Sequence, residues 1–330
     1  MDTLPTTTRF LAMLKWSDEE CRAYLERRRW PDGVVVCPKC GAPECRKFHR
    51  LSKSKNKNTT LFRCVACKRQ FSATAGTIFE DSHIPLNKWF AAVYLMCASK
   101  KGISARQLYR MLEIGSYRTA WFMCHRIREA MMDKVSEPLS GVIEADETYI
   151  GPRTKRLGER HKRTSIEERQ AGAPNEPGPF AEKEIVFGII ERGGRVRTRH
   201  IKQATRDTVR PIMRENIDMA NSSLMTDESP IYRRIREELP HEIIRHKSEY
   251  VRGQIHTQNI EGFWSLLKRG LYGTFHHVDA AYLAKYLDEF EYRFNERETS
   301  DGERFDRLMG QLQGRVLWYC QTPQPENPFA

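Results

Sequence analysis

The stretch Val142-Ile143-Glu144-Ala145-Asp146-Glu147-Thr148-Tyr149-Ile150-Gly151 alternates in character and ends on glycine. That pattern predicts a β-strand closed by a turn, and it sets a carboxylate, Asp146, within the strand. Residues 152–183 follow, rich in Pro, Gly and charge, with Arg153, Lys155, Arg156, Arg160, Lys162 and Arg163 clustered; they read as a long loop. Strands are expected over 184–191 and 195–202, joined by a hairpin turn at Gly193-Gly194. Thr205 can cap a helix running to about Met219, and Ser222 to Thr226 reads as a strand ending at Asp227. A strand near 243–246 and helices over about 258–270 and 278–296 complete a mixed α/β domain with a strand-rich first half.

Three carboxylates stand out in that domain. Asp146 lies in the first strand. Asp227 stands just past a strand end, where open α/β sheets place their sites. Glu261 lies on a helix whose buried face is Ile260, Phe263, Trp264 and Leu267, so Glu261, Ser265 and Lys268 share the opposite face. Three converging carboxylates suit Mg²⁺ or Mn²⁺, hard cations that prefer oxygen and keep waters for a phosphate substrate. A pair of such ions would activate an attacking oxygen and stabilise a leaving one. Spacing alone also allows a plainer reading, with Asp146 as a strand-end residue and Asp227 as a turn or helix cap.

Upstream, Cys37-Pro38-Lys39-Cys40 and Cys64-Val65-Ala66-Cys67 form two Cys-x-x-Cys pairs with 23 residues between them. Two facing hairpins at that spacing bring four thiolates round one Zn²⁺. From Cys45 to Phe79 there is no acid, while Arg46, Lys47, Arg50, Lys53, Lys55, Lys57, Arg63, Lys68 and Arg69 are all basic. In a chain of net charge +12 this is an electrostatic footprint for nucleic acid. A helix is expected over 9–30, with Cys21 and Leu25 on one face. Three more follow: one over 87–99, one capped by Ser104 with Leu108, Met111 and Leu112 buried, and one capped by Ser116 with the stripe Ala120, Cys124, Ile127 and Met131. The last two, joined by a tight turn at Gly115, match a helix-turn-helix. Tyr117, Arg118, Arg126 and Arg128 lie mostly off the stripe and are expected to meet DNA.

The 330 residues allow two or three domains, and no apolar run approaches the roughly 18 residues of a spanning helix. Metal-type cysteine spacing, with Cys21, Cys45, Cys97, Cys124 and Cys320 scattered, reads as a reducing, cytoplasmic setting.

Taken in order, the zinc ribbon, the helix-turn-helix, Glu144 to Gly151, Thr226-Asp227 and the block His256-Thr257-Gln258-Asn259-Ile260-Glu261-Gly262-Phe263-Trp264-Ser265-Leu266-Leu267-Lys268-Arg269-Gly270 resemble bacterial insertion-sequence transposases of the DDE class. The resemblance is to the ISXO-type branch with an N-terminal zinc ribbon. Arg29-Trp30-Pro31-Asp32-Gly33 and the segment from Tyr286 to Arg297 are similar too, so it covers about residues 10–300. It implies an α/β, ribonuclease-H-like catalytic domain behind the zinc ribbon and helix-turn-helix. It also implies metal-dependent strand cleavage at transposon ends and strand transfer by the freed 3′-hydroxyl. Asp146 and Asp227 carry over as the first two ligands; the third is Glu261, with Asn259 as the alternative. Pro152 stands where relatives commonly have a second glycine.

The domains are then 1–33, an N-terminal helical segment; 34–78, the ribbon; 79–138, the helix-turn-helix; 139–300, the catalytic domain; and 301–330, a C-terminal segment. Expected DNA contacts are Lys53, Lys55, Lys57, Arg118, Arg126, Lys268 and Arg269. The partners are terminal inverted repeats and target DNA, with a homo-oligomer in the synaptic complex and no membrane. Competing readings are a DNA-binding regulator with a decayed catalytic domain and a structure-specific nuclease of the same fold.

Overall fold

The computed structural model describes residues 6–51, 58–133, 137–151, 183–233, 235–244 and 256–319. The chain divides into two units, Met1–Ser136 with Arg269–Ala330, and Glu137–Lys268. The first opens with α1 (Thr6–Leu14) and α2 (Asp18–Arg29), so the single helix expected over 9–30 is two. The break is a capping box: the Ser17 hydroxyl accepts from the Glu20 N–H, and the Glu20 carboxylate accepts from the Ser17 N–H.

Strands β1 (Cys45–Leu51), β2 (Asn58–Cys64) and β3 (Gln70–Phe71) make an antiparallel ribbon. Helices α3 (Leu86–Ala98), α4 (Ala105–Met111) and α5 (Tyr117–Met131) follow. Ser104 and Ser116 cap the last two, accepting from the Gln107 and Thr119 N–H groups. The stripe Ala120, Cys124, Ile127 and Met131 is buried as expected. Met111 is not: the buried line of α4 runs through Leu108 and Leu112, and Met111, at the helix end beside it, is 52% exposed.

The second unit is built on β4 (Leu139–Ile150), β5 (Glu184–Glu191), β6 (Val196–Ile201), α6 (Arg206–Asn216), β7 (Ile217–Thr226), β8 (His241–Ile243) and α7 (Gln258–Gly270), whose last two residues belong to the first unit. The sheet order is β6-β5-β4-β7-β8. β6, β5 and β4 are antiparallel neighbours, while β4, β7 and β8 run parallel. β7 starts earlier than expected because Ile217, a β-branched residue, pairs with Leu139 instead of extending α6.

Alternation along β4 sorts its residues between two faces. Ile143 and Ala145 join Phe187, Ile189 and Leu224 in a core closed by Val209 and Met213 of α6. Glu144 and Asp146 take the other face, where α7 packs through buried Ile260, Phe263, Trp264 and Leu267. Gly188, opposite Asp146 in register, lets α7 close on the sheet. A Cβ at that position would lie 2.4 Å from Trp264 Cη2 and 3.2 Å from Ile260 Cδ1.

Helices α8 (Ala280–Asn295) and α9 (Asp301–Gly310) return to the first unit. Within that unit α8 is held by charge: Arg128 Nε of α5 lies 2.7 Å from Glu289 Oε2, both buried, and Arg293 pairs with the same carboxylate. Paired in this way, the charges inside the unit are compensated.

Candidate zinc site and carboxylate centre

The thiols of Cys37, Cys40, Cys64 and Cys67 all lie within 4.8 Å of one another. Sγ separations are 3.7 Å for Cys37–Cys67 and 3.6 Å for Cys40–Cys64. A tetrahedral Zn²⁺ with Zn–S near 2.3 Å requires sulfurs about 3.8 Å apart, so the donor set fits zinc. The two knuckles match: Gly41 N–H donates to Cys37 O and Lys68 N–H to Cys64 O, with φ +72° at Gly41 and +61° at Lys68. The Cys67 N–H, donating to Cys64 Sγ, helps hold the Cys64 thiol down at about 6, toward the thiolate that binds metal. Cys45 stays outside the cluster, facing Ala42 O at 3.8 Å.

Of the basic residues on the ribbon, Arg46, Arg63, Lys68 and Arg69 are exposed, and Lys47 pairs with Glu26 at 2.8 Å. Lys53, Lys55 and Lys57 lie outside the described residues, as does the loop read over 152–183 apart from Lys183. Arg118 is exposed, its Nε donating to the Tyr319 hydroxyl at 2.5 Å. Arg126, read from the sequence as lying off the buried stripe, is buried. It is 6% exposed, donates to the Glu80 carbonyl at 2.6 Å and lies over the Trp89 ring. Arg128 is buried in the Glu289 pair. Both missed assignments have one cause: a helix packed by neighbours on several sides buries more than its apolar stripe.

In the second unit Asp146 Oδ2 accepts a hydrogen bond from Trp264 Nε1 at 2.9 Å. Glu144 of β4 pairs with Met225 of β7, and Asp227 follows β7 directly, near enough for its charge to act on Asp146. Asp227 Oδ1 accepts from the Ser229 N–H at 3.0 Å, which fixes the turn after β7. Glu261 is exposed on the first turn of α7 and accepts from Thr257 Oγ1 at 3.2 Å. Burial pushes the Asp146 carboxyl up to about 6, the Trp264 bond opposes this, and the charges of Asp227 and Glu261 add to it. The three carboxylates therefore share a field. They are spread more widely than the cysteines, which are, among the described residues, the one group of three or more with donors mutually within 4.8 Å. Lys268 is half-buried; desolvation lowers its ammonium pKa and the charge of Asp146 opposes that. Arg269 is exposed.

Asn259, the alternative third ligand, sends its side-chain Nδ2 to Glu144 Oε1 at 2.8 Å. Glu144 was quoted in the motif without a role, yet it is fully buried and receives four hydrogen bonds. Its place two residues before Asp146, on the same face, was the available signal. Glu147 was also passed over. It points to the α6 side, where the buried Tyr232 hydroxyl donates to it at 2.9 Å, and burial pushes its carboxyl up to about 7.

Residues 138–295 match the ISXO2-like transposase domain, and residues 16–70 match the transposase zinc-ribbon domain. The two together define a transposase that carries its own zinc ribbon. The chain belongs to the IS1595 family of insertion-sequence transposases. It is 28% identical over 285 residues, covering 84% of this chain and 90% of the relative, to an uncharacterised protein in the transposable element ISH50 of Halobacterium salinarum. A chain of the simian T-cell lymphotropic virus intasome, solved in complex with the PP2A regulatory subunit B56 gamma, aligns at a TM-score of 0.28 and 11% identity, over 56% of this chain and 67% of that one. Among the described residues no helix is long and apolar enough to cross a membrane.

Proposed function

We propose that this protein is a Mg²⁺- or Mn²⁺-dependent DNA transposase that cleaves strands at the ends of its insertion sequence and transfers them to target DNA. The observation that carries the reading is the pairing of Glu144 with Met225 across β4 and β7, which brings Asp146 near Asp227, one residue past β7, while Glu261 adds its charge to Asp146 and Trp264 is bonded to it. The sheet order, an antiparallel meander extended by two parallel strands, supports a ribonuclease-H-like domain. The carboxylate donors in that region suit a hard cation. When bound, such a cation would acidify the attacking oxygen and neutralise charge on the phosphate.

The residues divide the remaining work. Asp146 supplies a ligand from a strand and Asp227 one from the turn just past a strand end. Glu261 is the third ligand in this reading, a carboxylate being a better donor to a hard cation than the Asn259 amide oxygen, which stays available as the alternative. Lys268 and Arg269 meet phosphate near the cleaved bond. The zinc ribbon and α4–α5, read as a helix-turn-helix, bind the terminal repeats through exposed cations such as Arg63, Lys68 and Arg118. A homo-oligomer pairs two ends in the synaptic complex, in the cytoplasm.

The test is cleavage and end binding by single variants. Asp146→Asn and Asp227→Asn should each abolish metal-dependent cleavage while binding ends like the wild type, since an amide keeps the shape and loses the ligand. Glu261→Gln should behave the same, whereas Asn259→Ala at saturating metal should still cleave. An inactive Asn259→Ala beside an active Glu261→Gln would move the third ligand to Asn259. Full cleavage by Asp146→Asn would discard the carboxylate-held metal mechanism, whereas no cleavage by the wild type would leave the DNA-binding regulator as the surviving reading.

A further inference from the structure

We propose that Glu144 is a positioning residue: from β4 it clasps the first turn of α7 and so sets where that helix holds Glu261 and Trp264 against Asp146. The inference rests on the reading of Asp146, Asp227 and Glu261 as cation ligands, and deepens it.

Glu144 is 0% exposed. An isolated buried carboxylate is costly, and this one is compensated on every side. Its Oε2 accepts from the backbone N–H groups of Asn259 at 2.9 Å and Ile260 at 3.1 Å. Those are among the donors that the start of a helix leaves unsatisfied, and a negative charge is favoured there by the helix dipole. Its Oε1 accepts from Asn259 Nδ2 at 2.8 Å and Arg192 Nε at 2.8 Å, and lies 3.3 Å from His256 Nδ1. Arg192 reaches past it, donating through Nη2 to the His256 carbonyl at 2.8 Å. So the hairpin after β5 supplies a cation, β4 an anion, and the segment entering α7 the remaining donors.

The geometry gives the clasp its consequence. Glu144 and Asp146 share one face of a strand that is hydrogen-bonded on both sides, by β5 and β7. The clasped residues, Asn259 and Ile260, immediately precede Glu261 in the chain. Trp264, one turn further on, closes the second point of attachment through Asp146. Two tethers on one rigid strand therefore hold the helix, and Glu261 lies between them. Residues that orient ligands in this way commonly change metal affinity ten- to a hundred-fold when altered.

The experiment measures Mn²⁺ binding to the full zinc-loaded chain by electron paramagnetic resonance, beside thermal unfolding and end binding. Glu144→Gln puts an amide donor against N–H donors and removes the charge. It should weaken Mn²⁺ binding about tenfold or more without changing end binding. Asn259→Ala keeps the two backbone donors and should weaken it several-fold. Combining Glu144→Gln with Asn259→Asp reverses donor and acceptor, and should bind Mn²⁺ more tightly than either single variant. A merely structural role would lower the unfolding temperature and leave Mn²⁺ affinity of the folded fraction unchanged, and that result overturns the proposal. If Glu144→Gln does not fold, unchanged Mn²⁺ affinity in Asn259→Ala is sufficient to overturn it. Asp146→Asn separates the two levels: wild-type Mn²⁺ binding there overturns the ligand reading and this inference together. Lost binding there, with normal binding in Glu144→Gln and Asn259→Ala, overturns this inference alone.

Discussion

Gly188→Ala adds one methyl group and should damage catalysis without touching any ligand. The new Cβ would come 2.4 Å from Trp264 Cη2 and 2.7 Å from Cζ2. Carbon atoms in contact sit at about 3.5–4.0 Å, so something must retreat by roughly 1 Å. β5 cannot easily move, because it is hydrogen-bonded to β4 on one side and β6 on the other. The indole is tethered to Asp146, so α7 must lift or the tether must break. Overpacking of this kind costs about 1–3 kcal/mol, which for a unit of this size lowers Tm by roughly 3–12 °C. A 1 Å misplacement of catalytic groups costs up to about a hundredfold in rate, so cleavage should fall far more than Tm suggests. End binding should stay near wild type, since the ribbon and α3–α5 belong to the other unit. Calorimetry, a cleavage assay and an end-binding assay on one preparation would measure all three. Trp264→Phe removes the two atoms in conflict, so Gly188→Ala should cost clearly less Tm in that background, a coupling that a double-mutant cycle reads directly. Wild-type Tm and cleavage in Gly188→Ala would refute the seating of α7 on the sheet through Trp264.

Two further perturbations address the other unit. Cys64→Ser should bind substoichiometric zinc and unfold the ribbon while the 137–268 unit stays folded, as metal analysis with limited proteolysis would show; undiminished zinc would reject the four-thiolate assignment. His125 is 1% exposed, neither ring nitrogen has a hydrogen-bond partner, and its ring lies 4.2 Å from that of Trp121. Burial, with the charges of Arg128 and Lys285, lowers its pKa to about 2. Below the ordinary value near 6.5 the unfolded chain takes up a proton that the folded chain refuses, so stability falls as pH falls. Between pH 7 and 5 the loss should be about 2 kcal/mol greater than in His125→Phe, as denaturant titrations would report; parallel pH profiles would contradict it.

Much of the architecture was legible because it depends on local pattern. The alternation from Val142 to Ile150, the hairpin at Gly193-Gly194 and the apolar spacing of Ile260, Phe263, Trp264 and Leu267 each act over a few residues, and each element stands close to where it was read. The paired Cys-x-x-Cys knuckles carried their chemistry in spacing alone. The failures have two origins, one local and one distant. Residues 9–30 look like one amphipathic run until Ser17 and Glu20 are recognised as reciprocal caps. Arg126 and Arg128 look solvated when α5 is taken as a helix with one packed face. Their burial depends on Glu80, Trp89 and Glu289, which lie 37 residues or more away in sequence.

The candidate site divides along the same line. Asp146, Asp227 and Glu261 were found as residue types at suggestive positions, but what makes them a site is contact across long separations. Asn259 and Glu144 meet over 115 residues, and Trp264 and Asp146 over 118. No periodicity encodes those meetings. Asn259 was considered as a ligand because a polar side chain near a helix start has several possible uses, of which capping, clasping and coordination are indistinguishable in one dimension. Glu144 shows one of them in use: an amide nitrogen donating at 2.8 Å into a carboxylate that also takes the helix's own N–H groups clasps the start of α7, directly before Glu261.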